Sequence, residues 1–252
     1  GSMYMKYNEN LLLHGCVPLN DDGTFMDMQF GEEALSGAAL VDKFDVASRK
    51  AYFTRNDKNP DTHARDLVWY LWCGPKSPLF GKTKMATFER YFIDEKETHK
   101  EEKNAYFRLN DNEEVLDRIL QEFGLDPGHS HLINGHVPVK VKKGESPIKA
   151  NGKLLVIDGG MSKAYQKVTG ITGYTLIYNS YGLVLVAHEE FKSTHAAIED
   201  ESDILSNITY LAQNPRRKTV EDTDSGKQLR QQISDLEMLL AAFRKGLIKE
   251  KR

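Results

Sequence analysis

Two short apolar runs that end beside a glycine and a histidine constrain this chain more than any other feature of its sequence. The first run, Leu11-Leu12-Leu13, is followed by His14-Gly15, and the second, Leu132-Ile133, leads through Asn134 into Gly135-His136. An apolar run that stops at such a pair predicts a buried strand, because glycine lets the backbone turn sharply where the strand ends. Each histidine is therefore expected at a strand end, where sites are commonly built on a rigid scaffold.

The residue type allows two interpretations of these histidines. Imidazole nitrogen is the commonest protein ligand for metals, and two histidines so far apart in the sequence favour convergence on one metal over a local chelate. Alternatively, each is a partly buried histidine that binds no metal, which is common for this residue type. Taken alone, the pattern favours the second interpretation for each of them.

Composition excludes several classes of protein. A length of 252 residues suits one large domain or two small ones, and a formal charge of −3 gives no basic surface for nucleic acid or an acidic membrane. No apolar run approaches the roughly 18 residues of a membrane helix, and no signal peptide opens the chain. Cys16 and Cys73, the only cysteines, form neither a disulfide framework nor a zinc Cys-x-x-Cys motif. We therefore expect a cytoplasmic protein.

The first residues have the pattern of a processed terminus. Gly1-Ser2-Met3 is typical of the scar that a cleaved affinity tag leaves, so residues 1–3 are expected to be foreign to the protein. The strand predicted at Leu11–Leu13 then begins without a leading element to pair with it. This is the pattern expected of a chain that starts in the middle of a fold.

The first half of the chain has mainly helical patterns. Apolar residues at steps of three predict an amphipathic helix within residues 32–53, and residues 113–123 predict another that ends at Gly124. Residues 54–65 are polar and predict a loop. The apolar run at residues 67–73 is interpreted as core, because no basic residues interleave its aromatic rings. The charged residues 94–103 predict a solvated face or loop.

The second half has mainly strand patterns. Short strands are predicted at residues 132–133 and 137–141, a hairpin at residues 148–157 around Asn151-Gly152, and a similar pair around residues 179–182. Helices followed by strands indicate an α/β or α+β layered domain. The tail, residues 221–252, predicts a helix with a narrow apolar seam made of Leu229, Ile233, Leu236, Leu240, Phe243 and Leu247. This seam could pack on the parent domain or form a coiled coil, and the sequence favours packing on the parent domain.

Longer segments carry a resemblance to a known family. The histidine motifs resemble the last two metal motifs of calcineurin-like metallophosphoesterases, and the chain more specifically resembles class III fructose-1,6-bisphosphatase over nearly its whole length. The segments that carry this resemblance are 66–73, 77–82, 87–92, 134–140 (Asn-Gly-His-Val-Pro-Val-Lys), 144–150 (Gly-Glu-Ser-Pro-Ile-Lys-Ala), 156–160 (Val-Ile-Asp-Gly-Gly), 162–166 (Ser-Lys-Ala-Tyr-Gln), 173–182, 187–189, 222–224 and the final helix.

The chain also departs from the family pattern. The family's active site needs Asp-x-His, Gly-Asp-x-x-Asp-Arg-Gly and Gly-Asn-His-Glu motifs upstream of the His14 motif, and this chain has no Gly-Asp or Gly-Asn dipeptide. Its one Asp-x-His, Asp61-Thr62-His63, follows His14 in a polar segment with no strand before it, so we interpret it as a coincidence. We expect residues 4–220 to be the C-terminal part of the catalytic domain and residues 221–252 to be a C-terminal amphipathic helix.

The resemblance implies a fold and a function. The fold would be the C-terminal portion of a calcineurin-like layered β-sandwich flanked by helices. The activity would be metal-dependent hydrolysis of the 1-phosphate of fructose 1,6-bisphosphate, a step of gluconeogenesis, by a two-metal mechanism with manganese. His14 and His136 would bind one metal, and no residue of this chain is assigned as a catalytic acid or base. The residues expected to contact the sugar bisphosphate are Lys140, Ser146, Lys149, Lys163 and Tyr165.

Two other functions stay open at this stage. The His14-Gly15 motif also fits a protein phosphatase-like metallophosphoesterase, although the Gly144–Pro147 and Gly173–Gly182 segments fit that class poorly. The missing motifs and the C-terminal seam instead favour a non-catalytic regulatory or oligomerisation module, with homo-oligomers forming through the final helix. Because two neutral imidazoles form an incomplete ligand set, we expect this chain alone to be inactive and to bind metal weakly or not at all.

Overall fold

A computed structural model of the protein describes residues 1–160, 169–189, 193–199, 206–213 and 216–248. The helices are α1 (Gly37–Phe53), α2 (Thr62–Cys73), α3 (Thr87–Phe92), α4 (Tyr106–Leu109), α5 (Glu113–Glu122), α6 (Thr194–Glu199) and α7 (Asp224–Arg244). The strands are β1 (Tyr4–Tyr7), β2 (Asn10–Leu13), β3 (Met28–Phe30), β4 (Glu33–Leu35), β5 (His131–Asn134), β6 (Ile148–Lys149), β7 (Leu154–Val156), β8 (Gly173–Asn179), β9 (Gly182–His188) and β10 (Ser206–Gln213). The mixture of helices and sheets confirms the α+β class.

The largest sheet has five strands in the order β1-β2-β5-β7-β6. β1 pairs antiparallel with β2, and positive φ angles at Asn8 (48°) and Glu9 (66°) make the two-residue turn between them. The prediction that β2 has no leading partner was therefore wrong. β1 was missed because it lies at the sheet edge, where exposed side chains at Met5, Lys6 and Tyr7 leave no apolar alternation to detect.

Three neighbouring strands of this sheet run in the same direction. β2 is parallel to β5, and β5 is parallel to β7, with Leu11 opposite Leu132 and Leu132 opposite Leu154. Parallel strands end at the same edge of a sheet, and the crevice beyond their carboxyl ends is the usual ligand site in such sheets. The residues that follow the three strands, His14, Gly135-His136 and Asp158, are therefore brought to one edge.

One face of the sheet packs against α5. Asn112 caps the start of this helix by accepting a hydrogen bond from the Val115 N–H at 3.3 Å, and Gly124 (φ 72°) follows its end. The helix predicted at residues 113–123 is thus confirmed. The shared core consists of Leu11, Leu132 and Leu154 from the sheet and Val115, Leu116, Ile119 and Leu120 from α5.

α1 and α2 pack against each other around a second core made of Leu40, Phe44, Ala47, Leu67 and Leu71. The predicted amphipathic helix within residues 32–53 is confirmed as α1, although residues 33–35 form β4 instead. The loop predicted at residues 54–65 ends earlier than expected, because the Asp61 carboxylate accepts the Ala64 N–H at 2.8 Å and starts α2 there.

The apolar run at residues 67–73 is only partly core. Because these residues form a helix, their side chains point in all directions. Leu67 and Leu71 are buried in the second core, and Tyr70 packs against it while partly exposed. Trp69 and Trp72 are 65% and 58% exposed, so the interpretation of the whole run as core was wrong.

The strand predictions of the second half were mostly correct. β6 and β7 pair antiparallel across a 3₁₀ turn at Ala150–Gly152, as the Asn-Gly signal predicted, and a turn at residues 180–181 separates β8 from β9. The strand predicted at residues 137–141 was wrong. Pro138 has no N–H to donate to a ladder, and the chain turns away from β5 into a 3₁₀ helix at Val141–Lys143.

The chain divides into two compact units: Gly1–Thr175 with Ala187–Asn207, and Leu176–Val186 with Ile208–Arg252. The second unit contains α7, which confirms the predicted terminal helix and begins where the Thr223 hydroxyl accepts the Gly226 N–H at 3.1 Å. All six seam residues are exposed, five of them in α7 and Leu247 beyond its end. The domain boundary at residue 221 stays a prediction. Among the helices of the described ranges, none is long and apolar enough to cross a membrane.

Candidate metal centre and adjoining pocket

His14 and His136, which are 122 positions apart in the chain, meet at the carboxyl edge of the five-stranded sheet. His14 Nε2 lies 3.1 Å from His136 Nδ1, and the ring centroids are 5.0 Å apart at an angle of 71°. The pairing of β2 with β5 produces this contact, because each histidine follows the end of its strand. The hydrogen bond from the Gly135 N–H to the His14 carbonyl, at 3.2 Å, continues the strand pairing up to the two rings.

The second nitrogen of His136 also has a partner. His136 Nε2 lies 3.3 Å from the Phe80 carbonyl oxygen, which can only accept a hydrogen bond. That contact favours the tautomer with the proton on Nε2, so the lone pair is on Nδ1 and points at His14. Metal-binding histidines are commonly oriented in this way, by a carbonyl bound to the nitrogen that does not face the metal.

Buried contacts hold the backbone beneath the pair. The Cys16 N–H donates to the Pro78 carbonyl at 2.8 Å. The side-chain nitrogen of Asn134 donates to the Gly15 carbonyl at 3.2 Å and contacts the Tyr106 hydroxyl at 2.8 Å. Tyr106 is fully buried, and this burial raises its pKa, so its hydroxyl stays protonated. The end of β2 is therefore fixed to its surroundings by polar contacts that solvent does not reach.

The electrostatic surroundings keep His136 neutral. Its pKa lies below the ordinary value, first because the ring is partly removed from water and second because His14 lies beside it. The Phe80 carbonyl and the more distant Asp158 carboxylate act in the opposite direction. His136 therefore keeps a free lone pair at a lower pH than a solvated imidazole does, and the neutral form is the one that binds metals.

The pair fits part of a metal site. Imidazole nitrogens bind a divalent cation at about 2.1 Å, so two nitrogens 3.1 Å apart are close enough to be ligands of one cation. Within the described ranges, no group of three or more His, Cys, Asp or Glu side chains is arranged to hold a metal ion. The pair thus supplies two neutral ligands, and any carboxylate ligand would come from other residues.

Asp61-Thr62-His63, the Asp-x-His of the sequence, has a structural role. Besides starting α2, the Asp61 carboxylate forms a salt bridge with Lys50 Nζ at 2.5 Å. Both partners lower the pKa of Asp61, with the Lys50 hydrogen bond as the larger cause. These contacts occupy the carboxylate, which agrees with the interpretation of this motif as a coincidence.

A pocket of about 100 Å³ adjoins the histidine pair and contains two of the predicted substrate residues, Ser146 and Lys149. Lys140 does not line this pocket, and it lies at the start of the loop that carries Ser146. Lys163 and Tyr165 lie outside the described residues. The remaining walls of the pocket are Lys103, Phe107, Asn110, Asn134, Val137, Pro138, Val139, Glu145 and Val156.

Sequence reasoning missed the part of this pocket that comes from residues 103–110. Lys103 belongs to the charged run that was predicted to be a solvated face, and nothing in its own neighbourhood distinguishes it from the lysines beside it. Its backbone bridges to Lys82, and this long-range pairing carries it to the pocket. Only knowledge of that pairing could have identified it.

Comparison with known proteins shows the family to which the chain belongs. A sequence model of the family described as Firmicute fructose-1,6-bisphosphatase matches residues 1–245. The chain belongs to this family. Membership in the class III fructose-1,6-bisphosphatases confirms the resemblance drawn from the motifs, and both histidines and the pocket residues lie inside the matched range.

Individual relatives are similar over nearly all of this chain. The fructose-1,6-bisphosphatase class 3 of Clostridium botulinum strain 657 is 60% identical over 250 residues, which cover 99% of this chain and 37% of that relative. The class 3 enzyme of Clostridium novyi strain NT is also 60% identical over 250 residues, covering 99% of this chain and 38% of the relative. The chain therefore spans less than two fifths of the length of these relatives. No solved structure matches it.

Proposed function

We propose that the full-length protein to which this chain belongs is a fructose-1,6-bisphosphatase that removes the 1-phosphate of fructose 1,6-bisphosphate, a step of gluconeogenesis. Family membership over residues 1–245 supports the class of substrate. The observation that carries the proposal is the contact between His14 Nε2 and His136 Nδ1, because it joins two family metal motifs into one candidate site.

In the proposed mechanism, His14 and His136 would hold one divalent cation, and manganese would suit a mixed set of nitrogen and oxygen ligands. When bound, a pair of cations supplies neutralisation of the phosphoryl charge and activation of an attacking water. The residues of this chain orient the site. Phe80 directs the His136 lone pair, and the buried Asn134 amide fixes the turn that carries His14. The remaining ligands and the general acid would come from motifs outside this chain.

The predicted substrate residues divide by position. Ser146 and Lys149 line the pocket beside the histidines, where they can donate hydrogen bonds to a sugar phosphate. Lys140 lies close enough to Lys103 for its charge to lower the pKa of that lysine, so it adds positive potential to the same region. We include Lys163 and Tyr165 in the proposal from the family resemblance alone.

The proposed function is tested with purified full-length protein and manganese. We expect hydrolysis of fructose 1,6-bisphosphate and no comparable hydrolysis of a phosphopeptide. His14→Ala and His136→Ala should each lower kcat/KM by more than about a hundredfold, since even loss of support around a metal ligand costs up to that amount. His131→Gln is the matched control, because His131 lies at the opposite end of β5 and its ring forms a hydrogen bond with the Gly152 carbonyl at 2.9 Å.

Each result assigns one of the candidate functions. Turnover of the phosphopeptide instead of the sugar would favour a protein phosphatase-like enzyme. Absence of turnover on both substrates would favour a non-catalytic module. Near-normal turnover in both histidine variants, together with activity of the wild type, would contradict the assignment of His14 and His136 as ligands.

We also propose a cytoplasmic location and self-association through α7. The two cysteines are free thiols, which suits a reducing compartment. The exposed apolar seam of α7 supports association with a second copy of the helix, because apolar residues at steps of three and four make the interface of coiled coils.

A further inference from the structure

The pocket beside the histidine pair is lined by a mostly buried asparagine. Asn110 is only 7% exposed and lines the pocket. An asparagine amide both donates and accepts hydrogen bonds, so at this position it can bind a polar ligand. Lys103, Ser146 and Lys149 line the same pocket and add further hydrogen-bond donors. The pocket therefore has the lining expected of a site for a polar ligand.

The charges around the pocket favour an anion. Lys103 and Lys149 line it, and neither these two nor the nearby Lys140 forms a salt bridge with any described residue. Lys82, by contrast, is paired with Glu101 at 2.7 Å. Glu145 is the acidic residue of the pocket wall, and one oxygen of its carboxylate accepts the Lys140 backbone N–H at 2.9 Å. The net local charge is positive.

Lys103 is held in a defined place. Its backbone bridges to Lys82, and the Asn104 N–H donates to the Gly81 carbonyl at 2.9 Å. Its ammonium nitrogen lies 5.7 Å from the centroid of the Phe107 ring. That ring lies 6.5 Å from the centroid of the His136 ring. Phe107 is thus near both the ammonium group and the candidate metal centre.

The pKa of Lys103 supports the interpretation of the pocket as an anion site. It lies below the ordinary value, first because the ammonium is partly removed from water and second because Lys140 repels it. Glu145 acts in the opposite direction but does not cancel the effect. A doubly charged anion in the pocket would relieve this repulsion, which is the electrostatic complementarity expected of a phosphate site.

We propose that this pocket binds the phosphate of the sugar bisphosphate that is not hydrolysed, with Lys103 and Lys149 as its cationic donors and Ser146 and Asn110 as its neutral ones. This inference rests on the proposed function. The Ser146 hydroxyl already accepts the Ile148 N–H at 3.1 Å, so its own hydrogen can be donated to a ligand. The pocket and the histidine pair would hold the two ends of one substrate, and Phe107 adjoins both.

The test compares two substrates in the full-length enzyme, fructose 1,6-bisphosphate and fructose 1-phosphate, which lacks the second phosphate. Lys103→Met keeps the aliphatic contact with Phe107 and removes the charge. We expect it to raise KM for the bisphosphate by about tenfold or more, with little change in kcat, because a charge-assisted hydrogen bond is lost. For fructose 1-phosphate, kcat/KM should change by less than about twofold. Lys103→Arg should restore most of the affinity for the bisphosphate.

Lys43→Met is the matched control. Lys43 Nζ also lies over a phenylalanine ring, 5.4 Å from the Phe30 centroid, but this contact is part of the α1 region and not of the pocket. The variant should leave both substrates unaffected. An equal loss on both substrates in Lys103→Met would overturn the proposal, since it would place Lys103 at the reacting phosphate or in the fold.

A binding measurement separates failure of this inference from failure of the proposed function. If the wild type does not hydrolyse fructose 1,6-bisphosphate, the proposed function is overturned. The assignment of a sugar bisphosphate as the ligand of the pocket is then overturned as well. Calorimetric titration with inorganic phosphate then tests the pocket by itself. Weaker phosphate binding to Lys103→Met than to Lys43→Met supports an anion site, and equal binding to the two variants overturns it.

Discussion

At the scale of single residues, Gly15 is the place where the chain beneath the histidines has no room for a side chain. A Cβ atom at this position would lie 2.2 Å from the Pro78 carbonyl oxygen and 3.0 Å from that of Leu79. Gly135, the corresponding glycine next to His136, differs from it. A Cβ atom there would meet only Ile157 and Asp158 at 3.8 and 4.0 Å, which are ordinary contacts.

This difference predicts opposite outcomes for two similar substitutions. Gly15→Ala should destabilise the full-length protein by about 1–3 kcal/mol, because the backbone must move away from Pro78, and it should lower phosphatase activity by displacing His14. Gly135→Ala should change stability by no more than about 0.5 kcal/mol. Denaturant unfolding and the fructose 1,6-bisphosphate assay measure both effects. A tolerated Gly15→Ala would show that the end of β2 is not fixed by its contact with Pro78.

The residue scale also shows what the sequence alone could predict about the site. His14 and His136 could be placed at strand ends, since glycine and apolar residues act locally. Their contact could not be derived from the residues, because it depends on the parallel pairing of β2 with β5 across more than a hundred residues. Family resemblance supplied that link. For Lys103 there was no local signal and no motif, so the pocket stayed hidden until the pairing with Lys82 was known.

At the scale of elements, the periodicity of side chains decided which predictions held. α5 was predicted closely because its apolar residues lie on one stripe that packs on the sheet. The run at residues 67–73 misled because nearly every residue in it is apolar, so it carries no period that would separate the buried face from the exposed one. Composition therefore indicated core where the structure exposes Trp69 and Trp72.

One carboxylate, that of Glu101, links several parts of the segment between α2 and α4. Glu101 accepts hydrogen bonds from Lys82 Nζ at 2.7 Å and from the Ala86 N–H at 2.9 Å, and Arg90 lies 3.5 Å away. The Lys82 hydrogen bond, followed by that of Ala86, lowers the pKa of Glu101 below its ordinary value of 4.5. Because this segment also carries Phe80, the contacts of Glu101 help to position the carbonyl that orients His136.

A pH-dependent loss of stability follows from this lowered pKa. The folded state favours the charged carboxylate, so its contribution is complete above about pH 4.5 and is lost as the pH falls towards the lowered pKa. Glu101→Gln should cost about 1–2 kcal/mol at pH 7, and this difference should shrink at pH 4 and below. Glu97→Gln is the control, because Glu97 pairs with Lys100 on the open surface. A pH-independent effect of Glu101→Gln would contradict this account.

At the scale of the whole molecule, the seam of α7 bears on how many copies associate. Its six apolar residues are exposed, and burying such surface is worth about 25 cal/mol for each Å². If the seam joins two copies, Leu236→Glu with Leu240→Glu should convert the full-length protein to a smaller species in light scattering. Ser234→Glu, a substitution on the same helix but off the seam, should leave the mass unchanged. A monomeric wild type would contradict association through the seam.

The metal content of this chain by itself is the sharpest test of whether it supplies only some of the metal ligands of the active site. Its described residues offer a pair of neutral imidazoles and no third His, Cys, Asp or Glu arranged with them, and the sequence lacks the family's Gly-Asp and Gly-Asn motifs. Affinity rises with the number and charge of the ligands, so two histidines should not retain manganese through purification. Elemental analysis of residues 1–252 should therefore find far less than one manganese per chain, and this chain should not hydrolyse fructose 1,6-bisphosphate. Full-length protein prepared in parallel should retain manganese and hydrolyse the substrate. Stoichiometric metal with real turnover in the short chain would mean that the catalytic centre is made of other residues than His14 and His136.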